Sequence, residues 1–524
     1  MAEPYYLTTA IHYPNGRPHI GHAYETIAAD VLARFHRLRG REVRFQTGTD
    51  EHGMKMAQKA RELGLTPRAL ADEMSGHFQE LFDKLDISYD RFFRTSEAEH
   101  HRASQALWQA MEASGDLYLG RYQGWYSVRD EAYYDESELT AGDGAGEGEA
   151  KLSPQGTPVE WTVEESWFFR LSRYQEPLLA LYRDNPEFVR PQSRLNEVRS
   201  FVEGGLRDLS VSRTSFDWGV KVPGAEDHVM YVWVDALTNY LTGLGYPDDT
   251  ADFRKFWPAD LHLIGKDIVR FHAVYWPAFL MSAGLPLPRA VYAHGFLLNR
   301  GVKESKTLGN VTDPGELADR YGVDPLRYFL LREFTFGQDG GWSPEAIVSR
   351  NNAELANSFG NLAQRTLSQI YKNCDGHLPA ISSQTADDAA LFALVDQATT
   401  ADMPAAFEQL AFAQALEHWM VAVFACNAYI DAQAPWALRK TDTARMETVL
   451  ATLYIVIAQL AVAVSPVMPG SARKLLTAMG VAEDLRTIEG IRSHWYSPLA
   501  QSDYRLGQPV GLFPRLELAD EAAA

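Results

Sequence analysis

Residues 5–50, YYLTTAIHYPNGRPHIGHAYETIAADVLARFHRLRGREVRFQTGTD, decide the fold. Tyr5–Ile11 is a short apolar run followed by a loop rich in Pro, Asn and Gly. From Ile20 the apolar residues recur at helical spacing until Gly40, and a second strand then ends near Asp50. The order strand, helix, strand predicts the opening βαβ unit of a parallel nucleotide-binding sheet, in an α/β protein.

The rest of the chain predicts an interrupted sheet followed by helices. An irregular stretch with strand-like pieces suggests an inserted domain, in which Ala141–Ala150 is a surface loop, and the sheet is expected to resume around Tyr231. From Asn351 onward strand signals vanish and helical spacing predicts an all-α domain. The expected divisions are 1–114 (first half of the sheet), 115–224 (inserted domain), 225–290 (second half), 291–350 (a loop-bearing linking region) and 351–524 (helical domain).

Composition limits the classes of function. The net charge of −20, from 69 acidic and 49 basic residues, argues against a sequence-independent nucleic-acid coat. The two cysteines, Cys374 and Cys426, form no CxxC pair, so neither a cysteine-based zinc knuckle nor a disulfide framework is expected. The longest apolar run, residues 449–464, is shorter than the ~20 residues of a membrane span and predicts a buried core helix. Without a signal-peptide pattern at the N-terminus, a cytoplasmic protein without membrane or DNA partners is expected.

The first motif is Pro18-His19-Ile20-Gly21-His22, at the start of the predicted helix. A helix N-terminus favours phosphate, and two imidazoles three residues apart could donate hydrogen bonds to it as charge develops. Gly21 leaves room for a flat base close to the backbone. The alternatives are a helix cap with two surface histidines, or a metal pair, for which no partner ligands stand out.

The second motif is Lys303-Glu304-Ser305-Lys306-Thr307, in a glycine-flanked loop. Two lysines at this spacing could clamp the β- and γ-phosphates of a nucleotide and stabilise departing pyrophosphate. Taken alone, the run is more typical of a solvated charged loop.

Together the two motifs resemble the signatures of class I aminoacyl-tRNA synthetases, and further segments resemble the methionyl-tRNA synthetase family. These segments are Tyr13–Gly16, Gly48–Gly53, Tyr231–Ala236, Ile264–Asp267, Phe271-His272, Asn361–Arg365 and Ala434–Trp436. The resemblance runs from about Tyr5 to Pro469. It implies a Rossmann-like sheet with an inserted connective domain, followed by an all-α anticodon-binding domain.

The resemblance also implies the reaction. ATP, accompanied by Mg²⁺, would activate L-methionine to methionyl-adenylate, and the methionyl group would then pass to the 3′-terminal adenosine of methionine tRNA, initiator and elongator, by class I analogy through its 2′-hydroxyl. No enzyme nucleophile is required, because positioning and charge stabilisation suffice. A monomer is expected.

Roles implied by the resemblance fall on particular residues. The catalytic group is His19, His22, Lys303 and Lys306, and ATP would also meet Gly21, Gly265 and Asp267. The methionine site is Ile11, Tyr13, Asp50, Trp233, Ala236, Leu237, Tyr240, Ile268 and His272, in which Asp50 would hold the ammonium group. The anticodon readers are Asn361, Arg365 and Trp436. Five of these residues have a structural alternative: a helix cap for Asp50 and Asp267, core packing for Trp233, and a solvated helical face for Asn361 and Arg365.

Two departures from the family pattern matter. Glu304 replaces an apolar residue that is usual in the lysine loop, which leaves open a paralogue that binds tRNA without chemistry. The inserted domain lacks the cysteines that bind zinc in many relatives, so a metal-free insert is expected. A class I enzyme for leucine, isoleucine, valine or cysteine is the other alternative. The first three usually carry a longer editing insert, and cysteine enzymes usually carry a zinc-liganding cysteine.

Overall fold

The structure, a computed structural model, describes residues 2–130, 132–141, 151–303, 311–382, 384–509 and 511–518. The predicted loop Ala141–Ala150 lies outside the described residues except for its first residue. The N-terminal part begins with the expected βαβ unit. Its elements are β1 (Pro4–Thr9), α1 (Ile20–Leu38), β2 (Glu42–Thr49), α2 (Met54–Glu62), α3 (Pro67–Lys84), β3 (Arg91–Arg94) and α4 (Ala98–Ala113).

The next segment is built around a long antiparallel ribbon. Its elements are β4 (Leu117–Ser127), β5 (Ala132–Tyr134), β6 (Thr140–Ala141), β7 (Lys151–Leu152), β8 (Glu160–Phe169), α5 (Gln175–Asp184), β9 (Val189–Arg190), α6 (Gln192–Glu203), β10 (Leu209–Ser210), β11 (Ser212–Arg213), β12 (Lys221–Val222) and β13 (Ala225–Met230). The ribbon pairs β4 with β8 from Leu117↔Phe169 to Tyr126↔Glu160, and it is the centre of a four-stranded sheet.

The chain then returns to the central sheet. The elements are α7 (Val232–Thr242), α8 (Ala251–Phe256), β14 (Leu261–Gly265), α9 (Trp276–Ser282), β15 (Val291–His294), β16 (Leu297–Asn299), β17 (Val302–Lys303), α10 (Pro314–Tyr321), α11 (Val323–Arg332), β18 (Gly340–Trp342) and α12 (Pro344–Arg350). The expectation that the sheet resumes around Tyr231 is wrong. Strand β13, just before Tyr231, belongs to a separate three-stranded sheet, and Val232–Thr242 is a helix. The chain rejoins the central sheet first with β9, at Val189–Arg190, and then with β14, at Leu261. The β-branched and aromatic residues favour a strand, but their spacing lets one helical face pack against α4.

The central sheet has six strands in the order β3-β2-β1-β14-β15-β9, all parallel. The α/β class and the parallel sheet are thereby confirmed. The chain runs outward from β1 to β3 and later re-enters beside β1 as β14, so the strand order reverses between β1 and β14. Ligands of open α/β sheets bind at the carboxyl ends of the strands at such a reversal.

The C-terminal part is helical, as expected. Its helices are α13 (Asn361–Asn373), α14 (Ala386–Gln397), α15 (Met403–Glu408), α16 (Phe412–Gln433), α17 (Pro435–Thr441), α18 (Thr443–Val464), α19 (Pro469–Ala478), α20 (Ile488–Arg492) and α21 (Tyr496–Ala500). A π-helical segment, Asn351–Gly360, connects α12 to α13.

Helix α18 is the core helix predicted from residues 449–464. It is 22 residues long with a mean hydropathy of 1.9, so length and composition alone would allow it to cross a membrane. However, 89% of its apolar window is buried inside the protein. The prediction of a core helix is confirmed by this burial rather than by the length argument.

A buried ion pair joins the helical part to the sheet. Arg327 on α11 is fully buried, and its Nη2 contacts Asp30 Oδ2 on α1 at 2.6 Å. Its other hydrogen bonds reach the carbonyl oxygens of Leu85 at 3.0 Å, Pro466 at 3.0 Å and Val467 at 2.9 Å. Because these carbonyls lie in the segment after α3 and in the turn after α18, one guanidinium fixes three parts of the chain.

Candidate active site

The site begins where α1 starts. His19 is the N-cap of α1, and its Nδ1 accepts a hydrogen bond from the Gly21 N–H at 3.1 Å. Nδ1 of His22 accepts from the His19 N–H at 3.0 Å, and the two rings stack with centroids 3.8 Å apart. A neutral imidazole that accepts at Nδ1 carries its hydrogen on Nε2. Each ring therefore has Nε2 as its donor, the arrangement needed to meet an anion beside a helix N-terminus.

Gly21 is required by this cap. A Cβ at Gly21 would lie 2.9 Å from Cε1 and 3.0 Å from Nδ1 of His19. The glycine therefore makes room for the His19 ring over the first turn, in addition to any space that it leaves for a ligand.

A third histidine, His12, joins the pair. Its ring lies 4.9 Å from that of His22 and stacks on Phe78 at 5.4 Å. Burial lowers the pKa of His12 to about 3, and the nearby His19 and His294 contribute to the shift. His12 is therefore neutral at ordinary pH. Sequence reasoning missed His12, although it precedes His19 by only seven residues.

The backbone of His12 connects β1 to the residue proposed to hold the ammonium group. The His12 N–H donates to the Gly48 carbonyl at 2.8 Å, and the Asp50 N–H donates to the His12 carbonyl at 2.9 Å. Asp50 is 7% exposed. Tyr13, the next residue, accepts from the Met56 N–H through its hydroxyl at 3.1 Å. The sheet thus places Tyr13 and Asp50 on adjacent segments at the carboxyl ends of β1 and β2.

Helix α7 and the segment after β14 form an aromatic wall. Trp233 stacks on Phe271 with centroids 3.8 Å apart, and its ring lies 6.0 Å from that of His272. The hydroxyl of Tyr240 lies 2.7 Å from His272 Nε2. Ala236 and Leu237 are buried on the same helix between Trp233 and Tyr240.

The tautomer of His272 follows from its contacts. Its Nδ1 lies 3.1 Å from the Ile268 carbonyl, which can only accept, so Nδ1 donates there and Nε2 accepts from the Tyr240 hydroxyl. Burial lowers the pKa of His272 to about 4. The wall is therefore uncharged and polarisable, which suits a thioether.

The aromatic wall and Asp50 lie close together. The pKa of Tyr240 is well above its usual range, mainly because the ring is buried, and the charges of Glu25 and Asp50 also contribute. Ile11, between β1 and His12, is half-buried. Within the predicted methionine site, the structure thus brings the rings of Trp233, Tyr240 and His272 together and places Tyr13 and Asp50 on adjacent segments.

Gly265 and Asp267 lie at the end of β14. A Cβ at Gly265 would be 2.7 Å from Asp267 Oδ1, so these two residues are in close contact. The N-cap of the short turn Lys266–Ile268 is Gly265 rather than Asp267. Beside Asp267 opens a cavity of about 410 Å³, whose lining includes Tyr134, Tyr231, Lys266, Asp267, Phe271 and Phe296.

A buried ion pair, also missed from sequence, ties α1 to β15. His294 Nε2 lies 2.8 Å from Glu25 Oε2. Burial raises the pKa of Glu25, whereas for His294 burial is outweighed by the hydrogen bond and charge of Glu25, so its pKa is raised. The two residues are 269 apart in sequence, and no local pattern relates them.

The lysine loop follows a short hairpin. Strands β16 and β17 pair Leu298 with Lys303, and the turn between them has Arg300 and Gly301 at φ of 47° and 82°. The backbone of Lys303 thus ends β17, whereas Glu304 and Lys306 lie outside the described residues.

The predicted anticodon residues lie in the helical part. The guanidinium of Arg365 lies over the Trp436 ring, 5.4 Å from its centroid, and pairs with Asp431 at 2.7 Å. Trp436 is 43% exposed, so it is a surface residue rather than part of the core. Asn361 begins the helix that carries Arg365 and is exposed.

Acid should destabilise the protein through its buried neutral histidines. The ordinary pKa of 6.5 falls to about 3 for His12 and to about 4 for His272, and that of His262 falls well below it, in each case chiefly through burial. Below pH 6.5 these histidines therefore become protonated in the unfolded chain but stay neutral in the folded chain. This difference lowers the free energy of unfolding by up to ~1.4 kcal/mol for each unit of pKa shift. The melting temperature should fall steadily from about pH 6.5 to about pH 4. A constant melting temperature over this range would contradict the burial of neutral rings.

Comparison with known proteins agrees with this geometry. The family model described as "tRNA synthetases class I (M)" matches residues 5–367, and that described as "Anticodon binding domain of methionyl tRNA ligase" matches residues 378–499. The methionine–tRNA ligase of Brucella suis is 57% identical over 521 residues, 99% of each chain, and that of Mycobacterium tuberculosis (strain CDC 1551) is 54% identical, with 98% of each chain covered. The chain belongs to the methionyl-tRNA synthetase family.

Solved structures of that family have the same fold. The Mycobacterium tuberculosis methionyl-tRNA synthetase in complex with methionyl-adenylate matches with a TM-score of 0.94 at 53% identity, covering 98% of this chain and 100% of that one. The free form of the same enzyme matches with a TM-score of 0.88 at 50% identity, covering 99% of each chain.

Among the described residues, no group of three or more His, Cys, Asp or Glu side chains is placed to hold a metal ion.

Proposed function

We propose that the carboxyl ends of β1, β2 and β14 form the catalytic centre of a methionine–tRNA ligase. The chain activates L-methionine with ATP and transfers the methionyl group to the 3′-terminal adenosine of methionine tRNA. The observation that carries the assignment of residues is the assembly of a doubly capped helix start, a buried carboxylate and an aromatic wall at one sheet reversal.

The phosphates of ATP belong at the start of α1. The Nε2–H groups of His19 and His22 would donate to the α-phosphate as the methionine carboxylate attacks it, so that they stabilise charge that grows in the transition state. Lys303 and Lys306 would hold the departing pyrophosphate. ATP enters as its magnesium complex, in which the ion is bound mainly by the phosphates. Gly21 and Gly265 would approach the adenosine through backbone, and Asp267 would accept hydrogen bonds from the ribose.

Methionine belongs between Asp50 and the aromatic wall. The Asp50 carboxylate would bind the α-ammonium group, and Trp233 with His272 and Tyr240 would contact the thioether. Tyr13 would close the site, and Ile11, Ala236, Leu237 and Ile268 would supply its apolar lining. Since the rings are neutral, the pocket discriminates by shape and polarisability rather than charge.

The tRNA spans two parts of the chain. Trp436 would stack on an anticodon base while Asn361 and Arg365 read base edges. Both initiator and elongator methionine tRNAs are the intended substrates, because they share the anticodon. The proposal includes a cytoplasmic monomer whose insert at 115–224 holds no zinc, with the catalytic domain in 1–114 and 225–290, the stem-contact region with the lysine loop at 291–350 and the anticodon domain at 351–524. Two strands of the central sheet, β9 and β15, lie outside the catalytic segments of this division.

ATP–pyrophosphate exchange with each of the twenty amino acids tests the proposal. Exchange should require methionine, fall when EDTA removes Mg²⁺, and be about 100-fold weaker with isoleucine, leucine or valine, since a tailored pocket rejects such analogues. Exchange driven by another amino acid would assign a different class I specificity. If no amino acid supports exchange although the chain binds methionine tRNA, the chain is a binding paralogue, and Glu304 is the first residue to replace with an apolar one.

A further inference from the structure

A fully buried carboxylate lies behind the proposed methionine site. Asp235 is on α7, between Trp233 and Ala236 of the aromatic wall. Its Oδ2 lies 2.6 Å from Nδ1 of His52, and its Oδ1 lies 2.7 Å from Nε2 of His100. All three side chains are 0–2% exposed. A carboxylate thus bridges two imidazoles that belong to different segments of the chain.

The first of these imidazoles belongs to the segment of Asp50. His52 is two residues beyond Asp50, so its hydrogen bond to Asp235 ties the ammonium-binding segment to α7. The second imidazole belongs to α4, and its Nδ1 lies 3.1 Å from the Thr242 hydroxyl at the end of α7. His100 therefore contacts α7 at two points about two turns apart.

Glu51, the residue between Asp50 and His52, is also held by side-chain contacts. Glu51 is fully buried, and its carboxylate lies 2.6 Å from Arg94 Nε and 2.5 Å from the Ser75 hydroxyl. Residues 51 and 52 thus hold the segment of Asp50 through different partners. Among the contacts described above, the one through His52 leads to α7 and the wall that would contact the methionine side chain.

We propose that Asp235 is a positioning residue, which sets the distance between the ammonium-binding Asp50 and the aromatic wall that receives the methionine side chain. This inference rests on the proposed function of Asp50 and Trp233. Because methionine must contact both at once, a small shift of α7 relative to residues 50–52 loosens one contact whenever the other is made. The effect falls on methionine rather than on ATP, since the start of α1 is held by its own cap.

Because the Asp235 carboxylate is ionised, an asparagine side chain cannot make both of its hydrogen bonds. Burial alone would raise the pKa of Asp235, but the interactions with His52 and His100 outweigh burial and lower it. An ionised carboxylate accepts from both rings, whereas an asparagine offers one acceptor oxygen and points an N–H₂ group at the other ring. One of the two contacts must then rearrange.

The test compares Asp235→Asn with a matched change far from the site. Methionine KM in ATP–pyrophosphate exchange should rise about tenfold, whereas the KM for ATP and kcat should change less than about threefold. Asp388→Asn is the control: Asp388 is equally buried and paired with Arg445 at 2.5 Å, in the helical part. The Asp388→Asn variant should have a lower melting temperature and an unchanged methionine KM.

A second pair of variants keeps the test decisive if Asp235→Asn does not fold. His52→Ala removes the hydrogen bond to Asp235 and should raise the methionine KM similarly. His52→Asn places an amide N–H₂ close to the position of Nδ1 and should restore most of the affinity. Rescue by asparagine at equal melting temperature is a result that general destabilisation does not give.

The outcomes separate the inference from the proposed function. A raised methionine KM in Asp50→Asn with an unchanged value in Asp235→Asn and His52→Ala would overturn the inference alone. An unchanged KM in Asp50→Asn as well would overturn the ammonium site itself. An equal rise in Asp388→Asn would show that loss of stability, rather than positioning, moves the KM.

Discussion

Methionine-dependent ATP–pyrophosphate exchange by the His22→Asn variant should be slower than that of the unaltered chain by about 10²- to 10³-fold. Asparagine separates the two roles of His22. Its side-chain oxygen can accept from the His19 N–H as Nδ1 of His22 does at 3.0 Å, so the helix cap is retained. The Nε2–H donor is lost, and with it one hydrogen bond to the phosphate in the transition state.

The control for this variant is His22→Gln, whose amide N–H₂ reaches approximately the position of Nε2 and should retain a larger part of the rate. Melting temperatures close to that of the unaltered chain, and methionine binding of normal strength by calorimetry, would show that neither the fold nor the amino-acid site is damaged. Exchange of normal rate in His22→Asn would exclude the imidazole from the phosphate step.

Charging of methionine tRNA by Trp436→Ala should lose about five- to 150-fold in kcat/KM, because the stacking of a base on an aromatic ring is worth ~1–3 kcal/mol. Methionine-dependent exchange should be unchanged, since Trp436 lies on α17 in the helical part and is 43% exposed. Both activities are measured on one preparation, with limiting tRNA in the first assay.

Trp436→Phe is the matched control, because a smaller ring still stacks and should retain most of the charging. An equal loss of exchange and charging in Trp436→Ala would assign the side chain a structural role. A loss only in charging that phenylalanine does not restore would indicate that the indole contributes more than stacking, for example by holding Arg365, which lies 5.4 Å from its ring.

Local sequence patterns predicted the parts of the fold that depend on neighbours in the chain. The βαβ unit of residues 5–50 was predicted from the change in spacing of its apolar residues and from Gly40, which ends the helix. The helical C-terminal part was predicted from sustained helical spacing of apolar residues. The expectation that the central sheet resumes around Tyr231 was wrong. The strand just before Tyr231, β13, pairs within a separate sheet, and the β-branched and aromatic residues that follow form α7, which packs against α4.

The site could be predicted only where a motif marks it. His19 and His22 stand in one short motif, but the contacts of Asp235 join residues 135 and 183 positions away, and those of His294 join residues 269 apart. Such contacts cannot be predicted from the periodicity of a single sequence, because only the folded chain brings the two residues together. The tautomers of His19, His22 and His272 likewise depend on backbone groups that only coordinates place.

The buried guanidinium of Arg327 has a consequence for tRNA selection. The Arg327 side chain binds α1, the segment after α3 and the turn after α18 together. Separating the sheet part from the C-terminal helical part would leave this buried charge without its partners, at a cost of about 3–5 kcal/mol. We therefore expect the sheet part, which carries His22, and the C-terminal helical part, which carries Trp436, to move as one rigid body. With the anticodon and the adenylate bound at the proposed residues, a tRNA must have a matching length and bend to bring its terminal ribose to the adenylate.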